Sequence, residues 1–550
     1  MPSCLSPAPT PVLRLRDLPL LVLALLLLLP VGGVLAAWLQ WDAQSADILR
    51  EMASTVLPRY AGASLALCLA VAVGTALVGT AGAAAVTLFE FPGRRSFEWA
   101  LLLPLAMPAY VVAYAYTDFL QFSGPMQTWL RAAFGLEGRV FPEVRNLPGA
   151  AWVFVFTLYP YVYLLARAAL SERAAHLMEA ARLLGASMRR RVLAVALPLA
   201  RPAIAAGVAL ALMETLADFG VASYFGIQTF SAGIYKAWLA MDNRVAAAQL
   251  ATALLAVVGL LLWLEHRAQR RLRFATLGGA RVGSVEAQPL RLSGRHALLA
   301  WLVCGLPVLA GFVLPVLFML RPLLAADVDL PWDRFGQWAF NSARLGVAGA
   351  ALAIVIALAL AFALRERSDP LTRGVVQLTG LGYAVPGAVI VVGLLAPVGA
   401  LQARWPDWPL SFWVTGTVLG VVWAYLVRFM SVALQSVQAG YARIPSSVDD
   451  SARMLGVSGL RLLARVHWPL LQRSVLAGAL LVLVDVMKEL PATLVLRPFD
   501  TDTLAVVAYQ LARDERLGEA ALPSLALVLV GLVPVMLLSR TLRNKVRLRE

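Results

Sequence analysis

Hydrophobic positions run along this chain in long windows. They fall near residues 18–40, 62–88, 97–119, 147–169, 200–223 and 245–264, then near 297–320, 341–364, 374–400, 409–437, 472–496 and 521–539. A helix needs ~20 mostly apolar residues to cross a bilayer core, so the pattern predicts an all-α integral membrane fold of about 12 transmembrane helices. Pro108 and Pro386 lie inside the third and ninth windows and mark broken stretches. Arg14 and Arg16 precede the first leucine-rich run as they would in a signal peptide. Leu20 to Trp38 is long for such a run, however, and no clean A-x-A site ends it, so it reads as an uncleaved helix.

Composition agrees. Of 550 residues 60% are hydrophobic and 14% charged, and the mean hydropathy is +0.75; soluble domains carry roughly 25% charged residues. The longest clearly polar stretch runs only from His266 to His296, too short for an appended nucleotide-hydrolysing domain of about 100–200 residues. The net charge of +15 sits in arginine clusters at Arg14 and Arg16, Arg94 and Arg95, Arg189 to Arg191, Arg267 to Arg273, Arg365 and Arg367, and Arg540 to Arg549. Each borders a hydrophobic span, so the charge reads as membrane topology by the positive-inside rule rather than as a nucleic-acid surface. Twelve crossings from an internal N-terminus put every cluster inside. The opposite loops carry Asp42, Asp47 and Glu51, then Asp327, Asp329 and Asp333. Cys4, Cys68 and Cys304 are far apart and form no metal or redox spacing.

The chain repeats itself. Glu179-Ala180-Ala181, Gly185 and Leu197-Pro198 are followed, 271 residues on, by Asp450-Ser451-Ala452, Gly456 and Trp468-Pro469 (450 − 179 = 456 − 185 = 469 − 198 = 271). The same offset carries Glu214 onto Asp485 and Asp218 onto Glu489. Two six-helix halves of like orientation fit this, as in transporters built from parallel repeats. The expected organisation is an N-terminal helix and first outside loop (1–59), a first repeat (60–264), a cytoplasmic linker (265–296), a peripheral helix with its outside loop (297–336), a second repeat (337–540) and a basic tail (541–550).

The first loop reads E-A-A, three residues, G, nine residues, an aliphatic (Val195), one residue, L-P. It resembles the inner-membrane permease subunits of binding-protein-dependent ABC importers, in which this loop forms a short helix docking on a cytoplasmic ATPase. The residues suit such docking, since alanines permit close approach, glycine a sharp exit, and the acid a charge for a basic partner. The resemblance implies the ABC type-1 importer permease fold and assigns coupling to Glu179, Ala180, Ala181, Gly185, Leu197 and Pro198, and to Asp450, Ser451, Ala452, Gly456, Trp468 and Pro469. The second copy departs from the pattern at Asp450, Ser451 and Trp468. No G-x-x-x-x-G-K-[ST] occurs. The chain is therefore expected to be a transport subunit rather than an enzyme, with no catalytic residues and no bound cofactor; two copies of a partner ATPase would use the ATP.

After each loop a span carries acids: Glu214 and Asp218, then Asp485 and Glu489 with Lys488 between them. Such residues cost ~2.5–3.5 kcal/mol at a bilayer centre and normally face a bundle interior or water. Spaced four apart, each pair is expected to line one helical face. Two readings stand: a carboxylate-lined path for a cation, or a structural network in which Lys488 neutralises Glu489. The runs Glu214 to Gly220 with Tyr224-Phe225-Gly226, Asp485 to Thr493, Leu496 to Phe499, Asp514 to Leu517 and Glu519 to Pro523 resemble the fused ferric-iron permeases, over roughly 60–540. That resemblance implies a periplasmic iron-binding protein as partner and the bacterial inner membrane as location, with both termini cytoplasmic. His176, His266, His296 and His467 do not pair at metal-ligand spacing, so no high-affinity metal site is expected. Ferric iron prefers oxygen ligands, which the carboxylates, Tyr110, Tyr114 and Tyr224 offer transiently; packing or an interfacial belt is the other role for the tyrosines. The alternatives are another cargo (thiamine, polyamine, sulfate or phosphonate) and an ion-coupled secondary transporter, which leaves the repeated loops unexplained.

Overall fold

The computed structural model describes residues 18–40, 43–171, 175–277, 290–325, 328–367 and 369–547. Arg14, Arg16, Asp42, Asp327, Cys4 and the linker between 278 and 289 lie outside them. The described residues are helical apart from loops and a two-residue parallel pairing of Phe89–Glu90 with Leu290–Arg291. Among the described residues, eleven helices are long and apolar enough to cross a membrane, and a pair bent by 89° raises the count to 12.

The first half holds α1 (Leu18–Ala36), α2 (Leu57–Leu88), α3 (Ala109–Leu120), α4 (Leu147–Ala169), the short α5 (Ala175–Leu183), α6 (Leu197–Ala217) and α7 (Arg244–Leu277). The second holds α8 (Gly294–Val308), α9 (Leu314–Leu324), α10 (Trp332–Glu366), α11 (Gly387–Arg404), α12 (Val418–Tyr441), the short α13 (Ser446–Met454), α14 (Trp468–Lys488) and α15 (Leu517–Arg547). Halves and spans agree with the hydropathy windows, but five windows are broken; one of them, 409–437, parts into Leu410–Thr415 and α12. Residues 97–119 turn through 89° between Ala106 and Ala109, where Pro108 has no N–H to continue a helix and starts α3 instead. Residues 374–400 break at Pro386 in the same way, and α11 begins at the next residue. The windows 200–223 and 472–496 end as helices at Ala217 and Lys488.

Each half lends its first helix to the other. The first helix, α1, packs on α11: a Cβ at Gly33 would lie 2.1 Å from the Gly393 carbonyl oxygen, and one at Gly393 would lie 1.8 Å from that of Pro30. Only glycine permits so close a backbone approach. Trp423 on α12 also donates its indole N–H to the Leu26 carbonyl at 2.9 Å. Reciprocally, the turn joining α8 to α9 receives the Tyr116 hydroxyl on the Ala310 carbonyl at 2.7 Å. Cys304 and Val308 are buried there with Phe97, Leu101 and Tyr159 of the first half. The exchange clamps the halves around a shared interior.

Candidate functional site

The acid-bearing helices end where the halves meet. Asp218 and Glu489 are not on the helical face of Glu214 and Asp485, as their spacing suggested. Both have left the helix, with extended backbone at φ −71°, ψ 130° and φ −68°, ψ 121°. Each carboxylate turns forward onto the next short helix: Asp218 Oδ1 accepts the Val221 N–H at 2.8 Å, and Glu489 Oε1 accepts the Ala492 N–H at 2.9 Å. Since 221 + 271 = 492, the two repeats break and re-cap alike. A carboxylate at a helix N-terminus satisfies otherwise orphaned donors.

Between these ends lies a cavity of about 180 Å³, room for several waters, lined by Glu214, Asp218, Asp485, Glu489, Lys488 and Arg428. Four carboxyls face two cations there. Tyr110, Tyr161, Tyr383 and Thr157 also line it. Lys488 does not neutralise Glu489: its ammonium donates to the Leu105 carbonyl at 3.1 Å, and Glu489 pairs with the Arg428 guanidinium at 3.2 Å. Arg428 escaped the sequence reading although its signal was plain, a single charge inside the apolar span of α12. Tyr224 is not in the cavity wall. Its ring meets Tyr114 edge-on at 4.7 Å, and its hydroxyl receives Arg145 at 3.3 Å. Arg145 also bridges to Glu515 of the second half at 2.7 Å. Tyr110 lines the cavity, whereas Tyr114 is buried behind it, 5.7 Å away. Among the described residues, no group of three or more His, Cys, Asp or Glu converges on a metal-sized point.

The repeated loops share one backbone. The short helices α5 and α13 each end at a glycine with φ +80° (Gly185) or +78° (Gly456). A Cβ at either would meet nothing within 4 Å, so it is the left-handed conformation, not space, that calls for glycine. Ala186 N–H returns to the Ala181 carbonyl and Val457 N–H to the Ala452 carbonyl, both at 2.9 Å, the bond that closes a helix C-terminus around an αL glycine. Then follow one π-helical turn (Val192–Ala196 and Leu463–His467) and the long helices α6 and α14, entered through Leu197-Pro198 and Trp468-Pro469. Ala180, Ala181, Ser451 and Ala452 lie within α5 and α13. The Glu179 side chain lies outside the described residues. Asp450 is exposed and 3.5 Å from Arg453. The tips carry apolar side chains in the open: Leu183 and Leu184 are 85% and 88% exposed, and Met454 and Leu455, 271 residues on, are 90% and 82% exposed.

The sequence profile of the family described as "Binding-protein-dependent transport system inner membrane component" matches residues 15–273 and 349–548. The chain belongs to this family. It is the membrane permease of an ABC importer, a multi-pass inner-membrane transport subunit. Among its relatives, the Fe(3+)-transport system permease protein FbpB 2 of Haemophilus influenzae is 26% identical over 482 residues, 87% of this chain and 88% of that one. The ferric transport system permease protein FbpB of Actinobacillus pleuropneumoniae is 22% identical over 437 residues, 75% of this chain and 61% of that one. The putative 2-aminoethylphosphonate transport system permease protein PhnV of Salmonella typhimurium is 26% identical over 228 residues, 42% of this chain and 81% of that one.

Proposed function

We propose that this permease passes ferric iron, handed over by a periplasmic binding protein, through the acidic cavity, while two copies of a separate ATPase act on its repeated loops. The observation that carries the reading is the cavity itself: four carboxyls and three tyrosines supply the oxygen donors a hard cation prefers, against two cations. The carboxyls do not converge on one point, which favours transit over storage. The names of full-length ferric relatives support the cargo. Matched apolar tips on both loops, a kind of surface soluble faces rarely leave open, support a partner docking on each. In this reading the chain binds no cofactor, ATP stays on the ATPase, the loops face the cytoplasm and both termini lie there.

A second cargo has a specific observation behind it. Arg428 and Lys488 in the cavity wall, and the aminoethylphosphonate relatives, fit a substrate carrying both an amine and an anion. Uptake of labelled ferric iron, beside labelled 2-aminoethylphosphonate, into cells expressing the chain with its ATPase and binding protein separates the two. Iron uptake that needs ATP and is lost in Glu179→Lys with Asp450→Lys supports the reading. No iron uptake by a well-inserted wild type removes the cargo, and uptake without the ATPase removes the coupling.

A further inference from the structure

The cavity's acids come in repeat-related pairs, but its cations do not. Arg428 stands where the first repeat has Thr157 (157 + 271 = 428), and Lys488 stands where it has Ala217. The two cations are held differently. Lys488 is tied to a backbone carbonyl of the broken first-half span. Arg428 offers five N–H donors in a fixed fork, yet among the hydrogen bonds of the described residues it makes one, to Glu489 Oε1 at 3.2 Å.

Glu489 does not depend on that bond. Its carboxylate already accepts the Ala492 N–H at 2.9 Å, the Thr493 N–H at 2.9 Å and the Thr493 hydroxyl at 2.6 Å. The guanidinium sits close under the backbone: a Cβ at Gly387 would lie 2.9 Å from Arg428 Nη1, 2.9 Å from Pro491 Cβ and 3.2 Å from Glu489 Oε1. The guanidinium is lodged at a carboxylate satisfied without it, and it lines the cavity.

We propose that Arg428 is a tethered counter-ion and the selectivity element of the cavity. It occupies the carboxylates when cargo is absent, yields to a multivalent cation, and expels that cation on its return. A monovalent ion brings no more charge than the guanidinium already in place and gains nothing by displacing it; a trivalent ion does. The proposal rests on the reading of the cavity as a cation path.

The test uses the full chain in lipid nanodiscs with terbium(III) as a hard trivalent probe, read by emission sensitised by the cavity tyrosines. Arg428→Gln is expected to bind terbium at least tenfold tighter than the wild type (about 1.4 kcal/mol), and sodium is expected to compete with terbium in the variant only. Arg428→Lys, which keeps the charge, should behave as the wild type, and Asp485→Asn added to Arg428→Gln should cancel the gain. Unchanged or weaker terbium binding by a folded Arg428→Gln overturns the proposal. Should that variant unfold, Arg428→Met, which keeps an apolar stem of similar reach without the charge, is expected to tighten terbium binding too, and unchanged affinity there overturns it equally. A wild type that imports ferric iron while the variants bind terbium no tighter removes the counter-ion alone. A wild type that imports no iron removes the cation path and the counter-ion with it.

Discussion

The two repeated loops keep one backbone and anchor it by opposite chemistry. In the first, Met178 of α5, Ala196 of the π turn and Leu170 at the end of α4 are all buried in one apolar cluster. The residues 271 further on are Asp449, His467 and Tyr441. Asp449, 4% exposed, receives the Arg365 guanidinium at 2.6 Å and meets His467 Nε2 at 3.0 Å, and His467 Nδ1 lies 3.2 Å from the Tyr441 hydroxyl. Arg365 also donates to the carbonyls of Tyr441, Ile444 and Pro445 at 3.2, 2.9 and 3.1 Å. Apolar packing is non-directional and tolerates small shifts; a buried charged network fixes one geometry and is costly to break. The second loop is thereby tied to the ends of α10 and α12, whereas the first rests on its bed. If the shared turn couples the permease to its ATPase, as proposed above, the anchors differ in how firmly each half holds it.

The largest effect should erase the difference. Proline holds φ near −65°, against +80° at Gly185 and +78° at Gly456. Gly185→Pro and Gly456→Pro should each cost at least ~3 kcal/mol of local structure. Together they are expected to reduce ATP-driven uptake below a tenth while leaving membrane insertion intact. Either one alone should do comparable harm. If transport survives in one half only, the two loops are not equivalent in coupling.

Next in size, removing one anchor at a time should separate the halves. Asp449→Ala leaves the guanidinium only backbone carbonyls in place of its carboxylate; losing a buried charge partner typically costs about 3–5 kcal/mol, and the Arg365 and Asp449 side chains are only 17% and 5% exposed. Met178→Ala loses apolar contact alone, roughly 2–5 kcal/mol, and the neighbours can close in on the space it leaves. Hydrogen exchange should show residues 446–457 losing more protection in the first variant than residues 175–186 lose in the second. Equal losses would mean the polar network adds nothing beyond packing.

How much of this was legible follows from where the information lies. The spans and the 271-residue offset are local patterns, hydropathy and spaced motifs, and both carried through to the structure. The breaks after Ala217 and Lys488 were hidden because acids four apart read the same whether the second continues the helix or caps the next one. The polar anchor was hidden because Arg365 and Asp449 are 84 residues apart, and only folding brings them together. Nor does any local pattern say that α1 packs on the far half, since that depends on Gly33 and Gly393 meeting. Arg428 is the exception. It was visible as a charge in an apolar span, but its repeat mate, Thr157, carries none, so the internal repeat gave it no second copy to draw the eye.

Acid should discriminate the loops without any substitution. Burial acts to raise the Asp449 carboxyl, but hydrogen bonds from Arg365 and His467, with their charges, prevail and hold it below its ordinary 3.8. A carboxyl depressed in the folded state stabilises it fully above the ordinary value, and that contribution is lost as pH falls through the depressed one. Between pH 5 and pH 3 the second loop should therefore loosen while the first, whose described anchor residues Met178, Ala196 and Leu170 do not titrate, stays put. Pepsin, active across this range, should increasingly cut near residues 446–457 relative to 175–186. Parallel cleavage of both loops would remove Asp449 as the acid-sensitive anchor.

The smallest expected effect reverses the comparison. Ser187 and Ser458 begin the turn after each loop glycine, 271 residues apart. Here the first half is the polar one: Ser187 Oγ accepts the Arg190 N–H at 3.4 Å, while Ser458 makes no side-chain cap. A serine cap typically contributes about 0.5–2 kcal/mol, and so long a bond belongs at the low end. Ser187→Ala should thus loosen exchange at residues 188–191 by a factor of about two, near 0.5 kcal/mol. Ser458→Ala should leave residues 459–462 unchanged, because no bond is lost there. If both substitutions act alike, the hydroxyls serve the loops by something other than capping, and the difference between the halves is confined to the buried anchors.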